Sequence, residues 1–179
     1  MAVDWDARID GLKRTIRDVP DFPKPGIVFK DITPLLGSAT AFRQAVDMLV
    51  VLCGDRPVDK VAAIESRGFI LGSLVASRLG VGFVPVRKPG KLPARTISAS
   101  YQLEYGSDSL ELHADALREG ERVLVVDDVI ATGGTAQAVA RLVEQLGGKV
   151  AAYAFLVELG FLDGRAKLDG YEVLSLISY

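Results

Sequence analysis

Two adjacent carboxylates, Asp127 and Asp128, stand just ahead of the run Ala131-Thr132-Gly133-Gly134-Thr135. Four aliphatic residues, Val123 to Val126, lead into them, and a segment with helical periodicity follows. A strand that ends in acids and turns through glycines into a helix sets all of these groups at the carboxyl edge of an open sheet, where such folds bind ligands. Gly133 and Gly134 permit close backbone approach. The N–H groups of the first helical turn then converge on an anion, helped by the helix dipole and by the hydroxyls of Thr132 and Thr135. Carboxylates accept hydrogen bonds from hydroxyl groups. A phosphate nest beside a pair of acceptors therefore suits a sugar phosphate. The run is neither a Walker A loop, which needs Gly-Lys-Ser/Thr, nor a dinucleotide fingerprint, whose acid follows its glycines.

Other residues with chemical potential are spread along the chain. Ser66, Arg67 and Gly68 follow an apolar run and open a second helical pattern. A helix dipole disfavours a cation at its N-terminus, so Arg67 is expected to have an anionic partner there. Arg87, Lys88 and Lys91 form a basic cluster shaped by Pro89, Gly90 and Pro93; taken alone, it reads equally as a solvated face. Phe29, between Val28 and Lys30, can stack on a planar base or fill a core. His113, the single histidine, has no metal-binding or triad partner nearby in sequence, and Cys53 falls on an apolar helical stripe that marks it as a core residue.

The elements that must carry these groups alternate. Val3 to Arg17 has helical spacing, whereas Pro20, Pro23, Pro25 and Gly26 predict a shaped loop over 18–27. Ser38 is placed to cap a helix whose stripe is Phe42, Ala45, Val46, Leu49, Val50 and Cys53. Strands are expected at 60–65, 83–87, 122–127 and 150–157, and helices at 68–79 and 134–146. The run at 122–127 is apolar up to its acids, as in a parallel sheet covered on both faces. Strands and helices in alternation with short connections predict an α/β fold, a doubly wound, mainly parallel sheet flanked by helices. The stretch 89–120, with alternation in Tyr101 to Tyr105, predicts a two-stranded flap, and excursions of that length usually cover a binding site.

Composition narrows the function. A chain of 179 residues suits one domain, large enough to bury about 70% of its unfolded surface without a staple. The net charge of −2 argues against a general nucleic-acid binder. One cysteine allows no internal disulfide and points to a reducing compartment. The N-terminus lacks a signal-peptide pattern, and no apolar run reaches the roughly 18–20 residues that span a bilayer. A soluble cytoplasmic protein without membrane or nucleic-acid partners is expected.

The segment Val123–Thr135 resembles the motif that binds 5-phosphoribosyl 1-diphosphate (PRPP) in type I phosphoribosyltransferases. Four more blocks, Asp21–Leu36, Glu65–Phe69, Val86–Pro93 and Leu103–Gly106, resemble the adenine-specific branch, so the likeness runs from about residue 20 to 160. It implies that fold, with a hood at about 1–36 and 158–179 and a flexible flap at about 89–120, and a Mg²⁺-dependent transfer that makes AMP and pyrophosphate from adenine and PRPP in purine salvage. It further implies that Ala131–Thr135 bind the 5′-phosphate and Asp127 and Asp128 the ribose. Ser66, Arg67, Gly68, Arg87, Lys88 and Lys91 would bind pyrophosphate, with Arg87 supplied from the other subunit of a homodimer. Glu104 is the expected catalytic glutamate, with Arg67 and Tyr105 assisting, and Mg²⁺ would be held mainly by PRPP and water. Adenine would lie against Val28, Phe29, Lys30 and Leu159. Many relatives have arginine where this chain has Lys30, a change that a backbone contact survives. Transfer to xanthine or orotate, a PRPP-sensing regulator without catalysis and a plain nucleotide-binding module are the competing functions.

Overall fold

The structure is a computed structural model that describes residues 4–102 and 107–179. It divides into two compact units, residues 1–48 and 49–179.

In the first unit, helix α1 (Trp5–Lys13) is capped by Asp4, whose carboxylate accepts from Ala7 N at 3.0 Å. The helix stops short of the expected Arg17. Arg17–Pro20 instead form strand β1, paired antiparallel with β2 (Val28–Asp31). Pro20 ends β1, a strand with a single neighbour, where a missing N–H is tolerated. The loop expected over 18–27 is thus shorter, and it is the turn of a hairpin. Asp31 accepts from Thr33 N and is paired with Arg17 at 2.6 Å; these contacts hold its carboxyl down at about 2. Helix α2 (Thr33–Gly37) follows. Ser38 Oγ then accepts from Ala41 N at 3.3 Å, capping α3 (Ala39–Cys53) as expected, and Ala45, Val46, Leu49 and Cys53 of its stripe are buried. Burial pushes the Cys53 thiol up to about 11, which leaves it inert.

The second unit is built on a five-stranded parallel sheet in the order β4 (Gly82–Val86), β3 (Lys60–Ile64), β7 (Arg122–Ile130), β8 (Lys149–Glu158) and β9 (Val173–Ser178). The final strand, β9, lies within the stretch 158–179 assigned to a hood and hydrogen-bonds β8. Helix α4 (Arg67–Leu79) lies against the Ala63 and Val126 side of the sheet. A Cβ on its Gly72 would sit 2.4 Å from Ala63 Cβ, so only glycine lets the helix approach so closely. Helix α5 (Gly134–Gln145) packs Val139, Leu142 and Val143 into a core with Val123, Val125 and Phe155, the residues of opposite parity. The flap is the antiparallel pair β5 (Thr96–Gln102) and β6 (Ser107–His113), and its Leu110 and Leu112 join the same core. The doubly wound, mainly parallel sheet with a two-stranded flap is therefore present. Among the described residues no helix is long and apolar enough to cross a membrane.

Candidate active site

Strand β3 pairs with β7 only as far as Ala63 and Val126, whereas β7 runs on through Asp127 and Asp128 to Ile130. The carboxylates thus lie within an extended strand, not at its end, and stand beyond the reach of its neighbour on that side. The vacated flank is taken by the turn from β3 into α4. There Ser66 holds φ at 87°, an uncommon conformation for a residue with a side chain, and Gly68 packs against Asp127. A Cβ on Gly68 would fall 2.5 Å from Asp127 Oδ1. The same Oδ1 accepts from Asp128 N at 2.9 Å.

Arg67, at the start of α4, has Nε 2.8 Å from Asp128 Oδ2. The anionic partner expected for it is therefore supplied by the protein itself. Asp128 Oδ2 is a buried oxygen whose contact with Arg67 is an ion pair and not a hydrogen bond. Burial, and for Asp127 the charge of its neighbour, push both carboxyls above the ordinary aspartate range, while Arg67 opposes the shift. Asp128 is only 5% exposed, and Asp127 opens onto the adjoining pocket. A buried Asp128 held by Arg67 beside a half-buried Asp127 on the pocket suits a ligand that brings hydroxyl donors and draws the cation away.

That pocket holds about 350 Å³ of empty space, part of it open to solvent. It is lined by Asp127, the turn Ala131 to Gly133, Thr135, and apolar Val129, Ile130, Ala136 and Phe155. Gly133 adopts φ 75° and precedes α5, whose first N–H groups have no carbonyl within their own helix to bind. The residues assigned to phosphate and ribose are thus brought together. Phe155 was not foreseen: it is the neighbour of Asp127 across β7 and β8, a pairing that only the register reveals.

Among the basic residues, Arg87 Nε donates to Glu65 Oε2 at 2.9 Å and its Nη1 to Lys91 O at 2.9 Å. Lys88 Nζ lies 3.2 Å from Asp108 Oδ2 on β6, which also accepts from Tyr101 OH. Glu65 and Asp108 thus restrain the cations, a role that nothing in their local sequence signals. Leu159 follows β8, with its N–H on Ile130 O at 3.0 Å. Val28, Phe29 and Lys30 belong to the first unit, where Phe29 meets Phe22 edge-on at 5.2 Å, Lys30 pairs with Asp18 at 2.7 Å and Val28 is 46% exposed. Glu104 and Tyr105 lie outside the described residues. His113 ends β6 with a buried Nε2 that lacks a hydrogen-bond partner.

Comparison with known proteins fits this arrangement. Residues 43–173 match the family model of the phosphoribosyl transferase domain. The adenine phosphoribosyltransferase of Thermotoga neapolitana is 59% identical over 94% of this chain and 99% of its own. The chain belongs to the adenine phosphoribosyltransferase family. The crystal structure of the family member from Thermoanaerobacter pseudethanolicus superposes with a TM-score of 0.94 at 59% identity, covering 96% of this chain and 99% of that one. The Saccharomyces cerevisiae adenine phosphoribosyltransferase, solved with adenine and an imino-altritol bisphosphate, gives 0.90 at 42% identity over 96% and 99%. Within this family the pocket between the acid pair and the glycine turn is the candidate active site of the chain.

Proposed function

We propose that this chain transfers the phosphoribosyl group of PRPP to N9 of adenine, releasing AMP and pyrophosphate, as a purine-salvage enzyme. The observation that carries the reading is the convergence of Asp127 with Ala131, Thr132, Gly133 and Thr135 on one pocket, with Arg67 held on the adjacent Asp128. Similarity at 59% identity over nearly the whole chain to enzymes named for this reaction supports it.

Each part then has a task. Backbone N–H groups and hydroxyls of Ala131, Thr132, Gly133, Gly134 and Thr135 receive the 5′-phosphate. Asp127 and Asp128 accept from the ribose hydroxyls and stabilise positive charge as it develops at C1. Arg67 leaves Asp128 for the pyrophosphate, joined by Ser66, Gly68, Arg87, Lys88 and Lys91. The exchange replaces an internal ion pair with a ligand contact on each side, so neither charge is left alone. Phe29 stacks on adenine, and Leu159 is a further adenine contact. Backbone groups at Val28 and Lys30 read its N6 donor and N1 acceptor, and a 6-oxopurine presents the reverse pattern. Glu104 takes the N9 proton while Tyr105 covers the site.

Mg²⁺ is the proposed cofactor. Among the described residues no three His, Cys, Asp or Glu side chains form a metal cage, and Mg²⁺ commonly keeps waters and substrate oxygens as ligands. The residues present fit an ion carried mainly by PRPP and water beside Asp127 and Asp128. When bound, it supplies charge neutralisation on the pyrophosphate and ribose oxygens. We further propose a cytoplasmic homodimer that shares Arg87 between its sites.

The direct test mixes purified protein with PRPP, Mg²⁺ and, in turn, adenine, hypoxanthine, guanine, xanthine and orotate, and follows the monophosphate. AMP from adenine alone is expected. Turnover of another base in preference refutes the adenine assignment, and PRPP binding without any product points to the regulator.

A further inference from the structure

Behind the glycine turn run two short 3₁₀ segments, Gly160–Leu162 and Gly164–Leu168, which join β8 to β9. Their backbone meets the turn at contact distance. A Cβ on Gly133 would lie 2.2 Å from Gly164 O, and a Cβ on Gly164 would lie 2.2 Å from Ala131 O and 2.9 Å from Ile130 Cγ1. The two stretches of chain are packed glycine against backbone from both sides, so a displacement of one is passed to the other without a soft side chain between them. Gln137 Nε2 adds a hydrogen bond to Lys167 O at 3.2 Å, and Leu168 anchors the end of the segment in the main core.

Arg165 fixes this brace to the sheet. Its Nε and Nη2 donate to the two carboxylate oxygens of Glu158 at 2.5 and 2.7 Å. Nη1 donates to Val173 O at 2.7 Å, and Nη2 also reaches Ser175 Oγ at 3.0 Å. Glu158 ends β8, and the other two partners lie on β9, so one guanidinium ties the segment to two strands. A planar fork makes this set of bonds, whereas a lysine ammonium keeps the charge and loses the paired geometry. None of these contacts involves the 66–68 turn or the 87–91 cluster.

We propose that Arg165 is a positioning residue for the phosphate turn: by holding Gly164 against Ala131 and Gly133 it keeps the turn in the shape that receives a 5′-phosphate. The inference rests on the assignment of residues 131–135 to that phosphate. A turn whose N–H groups must converge on one anion loses affinity when its backing shifts by a fraction of an ångström. The effect should be confined to ligands that carry the 5′-phosphate, because pyrophosphate is assigned to the opposite flank of the acid pair.

The test is calorimetric titration of the full chain with ribose 5-phosphate and, separately, with pyrophosphate and Mg²⁺, for the unchanged protein, R165A, R165K and G164A, with thermal melts alongside. R165A and R165K should each raise the Kd for ribose 5-phosphate about tenfold, and G164A, which moves the same contact from its other side, at least as much. Pyrophosphate Kd should stay within about twofold in all three. If R165A does not fold, R165K and G164A carry the comparison. Unchanged protein that fails to bind ribose 5-phosphate overturns the phosphate assignment and the inference with it. Normal ribose 5-phosphate binding in folded R165K and R165A overturns the inference alone, as does a parallel loss of both ligands.

Discussion

Gly68→Ala adds one methyl group at the place where α4 meets the acid pair. The new Cβ would lie 2.5 Å from Asp127 Oδ1, 3.3 Å from Asp127 Cγ and 3.5 Å from Val126 O. To regain ordinary van der Waals separation the carboxylate or the helix start must retreat by roughly 0.9 Å, and neither has slack. Oδ1 already accepts from Asp128 N, and Arg67 at the helix start is paired with Asp128. Overpacking of this kind costs about 1–3 kcal/mol of stability, a drop of roughly 2–12 °C in Tm for a chain of this size. Activity should suffer more than that alone implies. Misplacing a ligand-binding group by about 1 Å costs on the order of 100-fold, or about 2.7 kcal/mol of transition-state binding. Steady-state AMP formation at 25 °C, well below the melt, should therefore show kcat/KM for PRPP down about 100-fold, with KM for adenine within about threefold. A folded G68A protein whose kcat/KM for PRPP stays within twofold of the parent would refute the claim that this contact sets the position of Asp127.

Four further outcomes follow from the proposed assignments. Asp127 and Asp128 both hold their protons above the ordinary aspartate value of 3.8, so the charged pair proposed to accept ribose hydroxyls is complete only above the raised values. KM for PRPP should fall as pH rises through that window, and Asp127→Asn should flatten the acid limb of the kcat/KM profile; an unchanged limb assigns it to another group. By linkage the same shift stabilises the ligand-free fold below 3.8 and is lost as pH rises through the raised values, which melts in D127N should show as a shallower decline. Phe29→Ala removes the proposed stacking surface, worth about 1–3 kcal/mol, and should raise KM for adenine about 5- to 150-fold with KM for PRPP unmoved; equal effects on both substrates argue for a packing role. Glu104→Gln should lower kcat by about 100-fold or more while PRPP binding stays intact, measured by single-turnover kinetics and titration, and unchanged turnover removes Glu104 from the chemistry.

The sequence by itself determined the glycine turn between strand and helix, for which a phosphate-binding role is proposed, and the alternation that yields a parallel sheet. Both are local: a glycine at positive φ, threonine hydroxyls beside a helix start and an aliphatic run before paired acids act within a few residues of one another. Helix caps were legible for the same reason, as with Ser38 on Ala41 N. The first strand was hidden because Arg17 to Pro20 carry little apolar alternation and are held by their hairpin partner. Strand β9 escaped because pairing with β8 makes it part of the sheet, a property of the neighbour as much as of the segment. Only the tertiary structure decided that the acids lie inside a strand, that Asp128 holds Arg67, that Phe155 floors the pocket beside Asp127 and that Gly164 backs Gly133. Those facts depend on register and on the approach of segments 28 to 61 residues apart, and they follow from how whole strands and helices close-pack, which no short window of residues encodes.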